Sequence, residues 1–156
     1  MRPKPNCIDH SAIECIDLEK TKVWYRDGLA LNCDHFRNNM MVVDVGGPNK
    51  IVVMQNPKQK TNPSAAVHIG LTVDTIEEVD WYHNFLEERQ HEFFIKKIVP
   101  PAPVGSRQSD GEFAAWFYRM YVHDLDENWF EILTPITEQQ GRAIRSGETN
   151  KWKYVF

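Results

Sequence analysis

YRMYVHDLDENWFEIL, residues 118–133, reads as a strand, a tight polar turn and a second strand. Val, Tyr, Trp, Phe, Ile and Leu fill the two arms, while HDLDEN between them is too polar and turn-prone to continue a strand. The pattern predicts a β-hairpin. Side chains alternate faces along a strand, so Phe130 and Ile132 lie on one side of the second arm and Trp129, Glu131 and Leu133 on the other. A carboxylate therefore sits in an otherwise apolar strand. Buried and unpaired it would be prohibitively costly, so Glu131 either meets a cation or a hydrogen-bond donor, or faces water from an edge strand. On the first arm the same parity groups Phe117, Arg119, Tyr121 and His123, leaving Tyr118, Met120 and Val122 to pack toward helices. Arg119 is thus placed either to pair with an anionic substrate group or to sit in water, and Tyr121 to donate a hydrogen bond.

The bulk properties narrow the field. A chain of 156 residues can build one domain with a real core, or two small halves that share one. Its net charge of -4 gives no basic footprint, which argues against nucleic acid and anionic membrane as partners. No apolar run reaches the length of a membrane span, and MRPKPNCIDH at the start lacks the apolar centre of a signal peptide, so a cytoplasmic location is expected. Cys7, Cys15 and Cys33 are odd in number and show no Cys-x-x-Cys spacing, so reduced thiols are expected rather than a disulfide framework or a zinc knot.

Working outward from the hairpin, one order of elements occurs twice. Residues 7–16 alternate as a strand with His10, Ala12 and Glu14 on one face. Asp17 caps a helix, Gly28 stops it in the left-handed position, and strands follow at 29–36, 40–45 and 50–54. After the polar connector NPKQKTNPS, residues 65–73 form a strand with His68, Gly70 and Thr72 on one face. Asp74 or Thr75 then caps a helix in which Ile76, Val79, Tyr82, Phe85 and Leu86 keep the helical repeat. A strand is expected at 93–99, a long Pro/Gly-rich functional loop at 100–111, and the hairpin completes the second half. Residues 136–156 make a short helix and an aromatic-tipped extension.

Laying one half on the other aligns His10 with His68, Asn49 with Asn128 and Val52 with Glu131. Three of the four inward positions related by the repeat carry His, His and Glu; the fourth carries Val. Two imidazoles and a carboxylate from separate strands form the facial triad that holds a divalent metal and leaves positions open for substrate. The competing readings are a hydrogen-bonded structural histidine and a solvated strand glutamate.

These motifs carry a resemblance. HSAIECIDLEKTKVWYRDGLAL from His10, HIGLTVDTIEEVDWY from His68 and the closing YVHDLDENWFEI are similar to the vicinal-oxygen-chelate superfamily, which includes glyoxalases, extradiol dioxygenases, fosfomycin-resistance transferases and bleomycin-resistance proteins. The resemblance covers about residues 7–135 and implies an α+β fold. In it two βαβββ modules, about 7–55 and 65–135, curve into a half-open mixed β-barrel around a metal site, commonly in a homodimer, with 136–156 as an extension. It implies His10, His68 and Glu131 as metal ligands, with Fe2+ first and Mn2+ or Zn2+ as alternatives. Val52 replaces the fourth ligand of glyoxalase-like members and disfavours their reaction. Tyr121, ten residues before Glu131, matches the tyrosine that touches substrate in extradiol dioxygenases and fosfomycin transferases.

Departures from both groups are visible. Met54 and Val53 stand near the position of the dioxygenase acid-base histidine, leaving His35 or Glu14, on the face of His10, as substitutes; Ala12 replaces the hydroxyl the transferases need. The expected function is a mononuclear metal enzyme, an Fe(II) extradiol-type dioxygenase acting on a small substrate that chelates through vicinal oxygens. A Mn- or Zn-dependent transferase, isomerase or lyase is the second reading. The third is a metal-free protein that sequesters an aromatic compound among Trp116, Phe117, Trp129 and Phe130.

Overall fold

Strands and helices come in the same order twice in the computed structural model, which describes residues 8–37, 39–59, 66–107 and 113–147, without the side chains of 35–36, 106–107 and 113–114. The chain divides into two units: Met1–Pro63 with Asp124–Asn128, and Ser64–His123 with Trp129–Phe156. Cys7, the loop tip at 108–112 and the aromatic end of the chain lie outside the described residues.

In the first unit β1 (His10–Cys15), α1 (Leu18–Val23), a π-helical turn (Trp24–Gly28), β2 (Asn32–Arg37), β3 (Met40–Asp44) and β4 (Lys50–Gln55) follow one another. The sheet order is β1-β4-β3-β2, with β1 parallel to β4 and the other pairs antiparallel. Asp17 caps α1 through its side chain, which accepts from the Lys20 amide, as the sequence predicts. Gly28 behaves differently from expectation. The left-handed residue is Ala30, at φ 56, because the helix widens and the Leu29 amide bonds back to the Trp24 carbonyl at 3.2 Å, which delays the reversal. Gly28 instead makes room for an aromatic ring, since a Cβ there would lie 2.7 Å from Cε3 of buried Trp24. Trp24, Tyr25, Met41 and Val53 are at most 1% exposed and form the heart of this unit's core.

The turn Asp124–Asn128 belongs to this unit. Asp124 is fully buried, and its Oδ1 accepts from the amides of Asp126 and Asn128 at 2.9 Å each while Oδ2 accepts from Asn128 Nδ2 at 2.8 Å. Asn128 Nδ2 also donates to the Glu14 carbonyl at 3.1 Å, and Thr21 Oγ1 lies 3.4 Å from Asp126 Oδ2. Burial pushes the Asp124 carboxyl up to about 7; the Asn128 donors pull it down and the neighbouring Asp126 charge adds to the rise.

The second unit contains β5 (His68–Thr72), α2 (Ile76–Glu88), β6 (Ile98–Arg107), β7 (Phe113–His123), β8 (Trp129–Ile136) and α3 (Glu138–Ser146). Its sheet runs β5-β8-β7-β6, again with the first pair parallel and the rest antiparallel. Thr75, not Asp74, caps α2, in a reciprocal capping box with Glu78 of the kind that contributes about 1 kcal/mol. The helix buries Val79, His83 and Leu86, and Asp80 Oδ1 accepts from the Tyr118 hydroxyl at 2.9 Å. His83 replaces the expected Tyr82 and Phe85 among the buried residues.

Two expectations for the next stretch need correction. Residues 91–94 continue in turns beyond α2, with Phe93 and Ile95 anchored in the core, so no strand begins at 93. The Pro-rich stretch expected as a loop from 100 is instead strand β6, Ile98–Arg107. It tolerates Pro100, Pro101 and Pro103 because it lies at the sheet edge and breaks register between Val99 and Ala102. On β7 and β8, Tyr118, Met120, Val122 and Phe130 are fully buried and Ile132 is nearly so, as parity predicts. α3 packs in this unit with Gly141 against Trp116, where a Cβ would come within 2.2 Å of the ring. Trp116 and Phe130 therefore belong to the core rather than to a ligand groove. Among the described residues, no helix is long and apolar enough to cross a membrane.

The internal repeat holds in hydrogen-bond register. In the first unit His10 pairs with Lys50 and Ala12 with Val52; in the second His68 pairs with Trp129 and Gly70 with Glu131. Both ladders have the same offset, and Val52 and Glu131 are equivalent positions.

Candidate functional site

β8 is an inner strand, so Glu131 cannot reach water at an edge. It is 6% exposed, and both its oxygens are engaged. Arg119 Nη1 lies 2.5 Å from Oε1, and His68 Nε2 lies 3.3 Å from Oε2. Three strands supply these groups. Glu131 pairs directly with Tyr121 on β7, Arg119 lies one same-face step along β7, and His68 stands on the parallel neighbour β5. The carboxylate that looked misplaced in the sequence is answered by a guanidinium and an imidazole.

Aromatic rings extend this face. His68 meets Tyr121 edge-on with ring centroids 5.4 Å apart, and Tyr121 meets Trp129 edge-on at 5.8 Å. His123, 7% exposed, stands edge-on to Trp129 at 3.8 Å, which gives it a packing role beside the turn. Arg119 also lies over the Tyr121 ring at 5.0 Å, and its Nε has no hydrogen-bond acceptor among the described residues. Burial, then the Glu131 charge, raises the Tyr121 phenol above its ordinary value, and Arg119 offsets this only in part. Tyr121 is therefore a protonated donor at neutral pH, not a base.

The sequence-predicted site residues divide between the units. His68, Arg119, Tyr121 and Glu131 come together in the second. His10 and Glu14 belong to the first, on β1: His10 is exposed with Nδ1 2.9 Å from Asp9 Oδ2, and Glu14 Oε2 accepts from Asn56 Nδ2 at 3.0 Å. The side chain of His35 lies outside the described structure. Arg119, expected either to pair with an anionic substrate group or to sit in water, has Glu131 as a hydrogen-bonded partner.

Two residues of this face escaped the sequence reading. Lys97, just before β6, sets Nζ 5.3 Å from the centre of the Trp129 ring; the strand expected at 93–99 obscured its position. Gly70 pairs with Glu131, and a Cβ there would lie 3.6 Å from Oε2 and 3.4 Å from a Leu133 methyl. Those are ordinary contacts, so packing does not demand glycine. Its lack of a side chain keeps the approach to Oε2 open, and its equivalence to Ala12 in the repeat was the signal that could have marked it.

The donor chemistry of the pair suits a divalent cation. Two ligands each about 2.1 Å from one ion, at octahedral to tetrahedral angles, lie about 3.0–3.4 Å apart. The His68 Nε2 to Glu131 Oε2 separation of 3.3 Å falls in that interval. Among the described residues, no three His, Cys, Asp or Glu side chains gather closely enough to hold a metal ion.

A family model described as the glyoxalase/bleomycin resistance protein/dioxygenase superfamily matches residues 7–132. Solved structures similar to this chain include a glyoxalase/bleomycin resistance protein/dioxygenase from Alicyclobacillus acidocaldarius, 17% identical with a TM-score of 0.59, covering 88% of this chain and 98% of that one. A possible glyoxalase from Bacillus cereus is 18% identical with a TM-score of 0.62, covering 83% and 99% respectively. A lactoylglutathione lyase from Agrobacterium tumefaciens is 17% identical with a TM-score of 0.54, covering 85% and 96%. At such identities these likenesses establish the fold. The comparison with curated proteins gave no match.

Proposed function

The chain belongs to the glyoxalase/bleomycin resistance protein/dioxygenase superfamily, and we propose that within it the chain is a mononuclear metal-dependent enzyme, an Fe(II) extradiol-type dioxygenase whose small substrate binds through vicinal oxygens. The observation that carries this reading is the His68–Glu131 pair, whose donor atoms are spaced as neighbouring ligands of one ion. His68 and Glu131 would hold the metal. His10, the repeat equivalent of His68, is proposed as the third ligand on the strength of the sequence alone. The metal, when bound, supplies Lewis acidity and a template for two substrate oxygens.

The protein's own groups do the rest. Arg119 fixes the Glu131 carboxylate by holding Oε1, which leaves Oε2 turned to His68. Tyr121, kept protonated by burial and by Glu131, donates a hydrogen bond to a substrate oxygen. Glu14 is proposed from its place on the His10 face as a proton acceptor. A Mn- or Zn-dependent transferase, isomerase or lyase would use the same ligands without redox change.

One observation favours the metal-free reading: the Arg119 guanidinium satisfies Glu131 without any metal. The deciding experiment is anaerobic purification with elemental analysis, followed by oxygen uptake with catechols. One equivalent of iron and catechol-dependent uptake support the dioxygenase; manganese or zinc without uptake selects the non-redox reading. His68→Ala is expected to lose metal while remaining folded by circular dichroism. Undiminished metal in that variant removes His68 as a ligand, and a metal-free wild type that takes up no added ion leaves the sequestering protein.

A further inference from the structure

We infer that the ligand of the β5–β8 face is a planar anion, a conjugated carboxylate, and that Lys97 is the residue that selects it. This rests on the reading of that face as a substrate site. Glu131 is the only acidic residue on the strands of this sheet among the described residues, and Arg119 already neutralises it. The unit's other described acids lie off these strands: Asp74 before α2, Glu77, Glu78, Asp80, Glu87 and Glu88 on α2, Glu92 beyond it, and Glu138 on α3. Lys97, exposed and without an acidic partner among the described residues, adds a second positive charge beside Trp129. Among the described residues the face therefore carries an excess of positive charge, and a divalent cation at His68 and Glu131 would increase it.

A neutral ligand would leave that excess uncompensated, whereas a carboxylate placed toward Lys97 balances it. Tyr121, part-exposed between His68 and Trp129, offers the face of its ring that Arg119 does not cover, and Gly70 leaves the side next to Glu131 Oε2 open. A planar body resting on Tyr121, with its oxygens toward Glu131 and its carboxylate toward Lys97, satisfies all three.

The test is calorimetric titration of the full chain loaded with Mn2+ under argon, using catechol and 3,4-dihydroxybenzoate. The carboxylate should bind the wild type about tenfold more tightly, as expected for one added charge-assisted hydrogen bond. Lys97→Gln should reduce that advantage to less than about threefold while leaving catechol binding unchanged, and Lys97→Arg should keep it. Equal binding of the two probes by the wild type, or an undiminished advantage in Lys97→Gln, overturns the inference. If Mn2+ binds and neither probe does, the substrate class is wrong and the metal reading stands. If Mn2+ does not bind, the metal reading fails, and benzoate against benzamide on the metal-free chain decides: a benzoate preference that is lost in Lys97→Gln supports the inference, and its absence overturns it.

Discussion

Both units bury carboxylates, and Glu131 and Asp124 are handled in opposite ways. In the second unit Glu131 meets Arg119 and His68, both of them nitrogen groups able to carry positive charge. In the first, among the described residues, Asp124 meets only amides, from the backbone of Asp126 and Asn128 and from the Asn128 side chain, and has the Asp126 carboxylate as a neighbour. Burial without a cation drives Asp124 up to about 7, although the amide donors that pin the turn to its oxygens pull the other way. The contrast separates a carboxylate kept for ionic chemistry from one kept for architecture. Strand position repeats the lesson, because Val52, the equivalent of Glu131, pairs with Ala12 and Val42 and carries no charge at all.

The largest effect expected from breaking this contrast is at Arg119. Arg119→Met leaves Glu131 nearly buried without its guanidinium and should cost about 3 kcal/mol, the lower end for a broken buried pair because Arg119 is partly exposed. Adding Glu131→Val, which copies the first unit's pattern, should bring urea-denaturation stability back to within about 1 kcal/mol of wild type. A double variant no better than the single one would show that the pair does not explain the cost.

Next comes pH. Asp124 has a folded-state pKa of about 7 against an ordinary aspartate value of 3.8, so the folded state holds its proton more tightly. The stability this confers is complete below the unfolded pKa and is lost as pH rises through the folded one. Between about pH 5 and pH 8 the wild type should lose about 2–3 kcal/mol relative to Asp124→Asn, at 1.36 kcal/mol per pKa unit. Parallel pH profiles for the two proteins would refute the assignment.

The smallest effect sharpens the comparison through packing. Each unit presses a glycine onto a tryptophan, Gly28 on Trp24 and Gly141 on Trp116, with added-Cβ distances of 2.7 and 2.2 Å. Gly141→Ala should destabilise by about 2 kcal/mol and Gly28→Ala by about 1 kcal/mol in thermal melts, the tighter contact costing more. The reverse order would mean that Trp116, beneath α3, shifts more readily than Trp24.

Parity and periodicity carried most of the fold. The alternation at 118–133 separated Tyr118, Met120 and Phe130 from Arg119, Tyr121 and Glu131, and the repeat made Val52 the equivalent of Glu131, as the strand registers show. Legibility ended where tertiary context overrode local preference. Three prolines made the stretch from 100 read as loop although β6 runs through it to Arg107, since nothing local tells an edge strand from a connector. Gly28 read as a left-handed stop because a glycine needed for ring clearance looks the same in sequence as one needed for φ. The Arg119–Glu131 pair was within reach, being on one face of adjacent strands, but the sequence could not say whether Arg119 would turn to its own strand partner or to a ligand. The burial of His123, Asp124 and Asp126 within HDLDEN was hidden for a similar reason: its polarity describes a turn, and only the fold supplies the pocket that Asp124 fills.

The prolines of β6 have one more consequence. Three of its ten residues have no amide hydrogen, so a foreign strand arriving at that margin finds gaps where the ladder should continue. Sheet-to-sheet fusion, and the fibrillar growth that begins with it, is discouraged on this flank by composition alone.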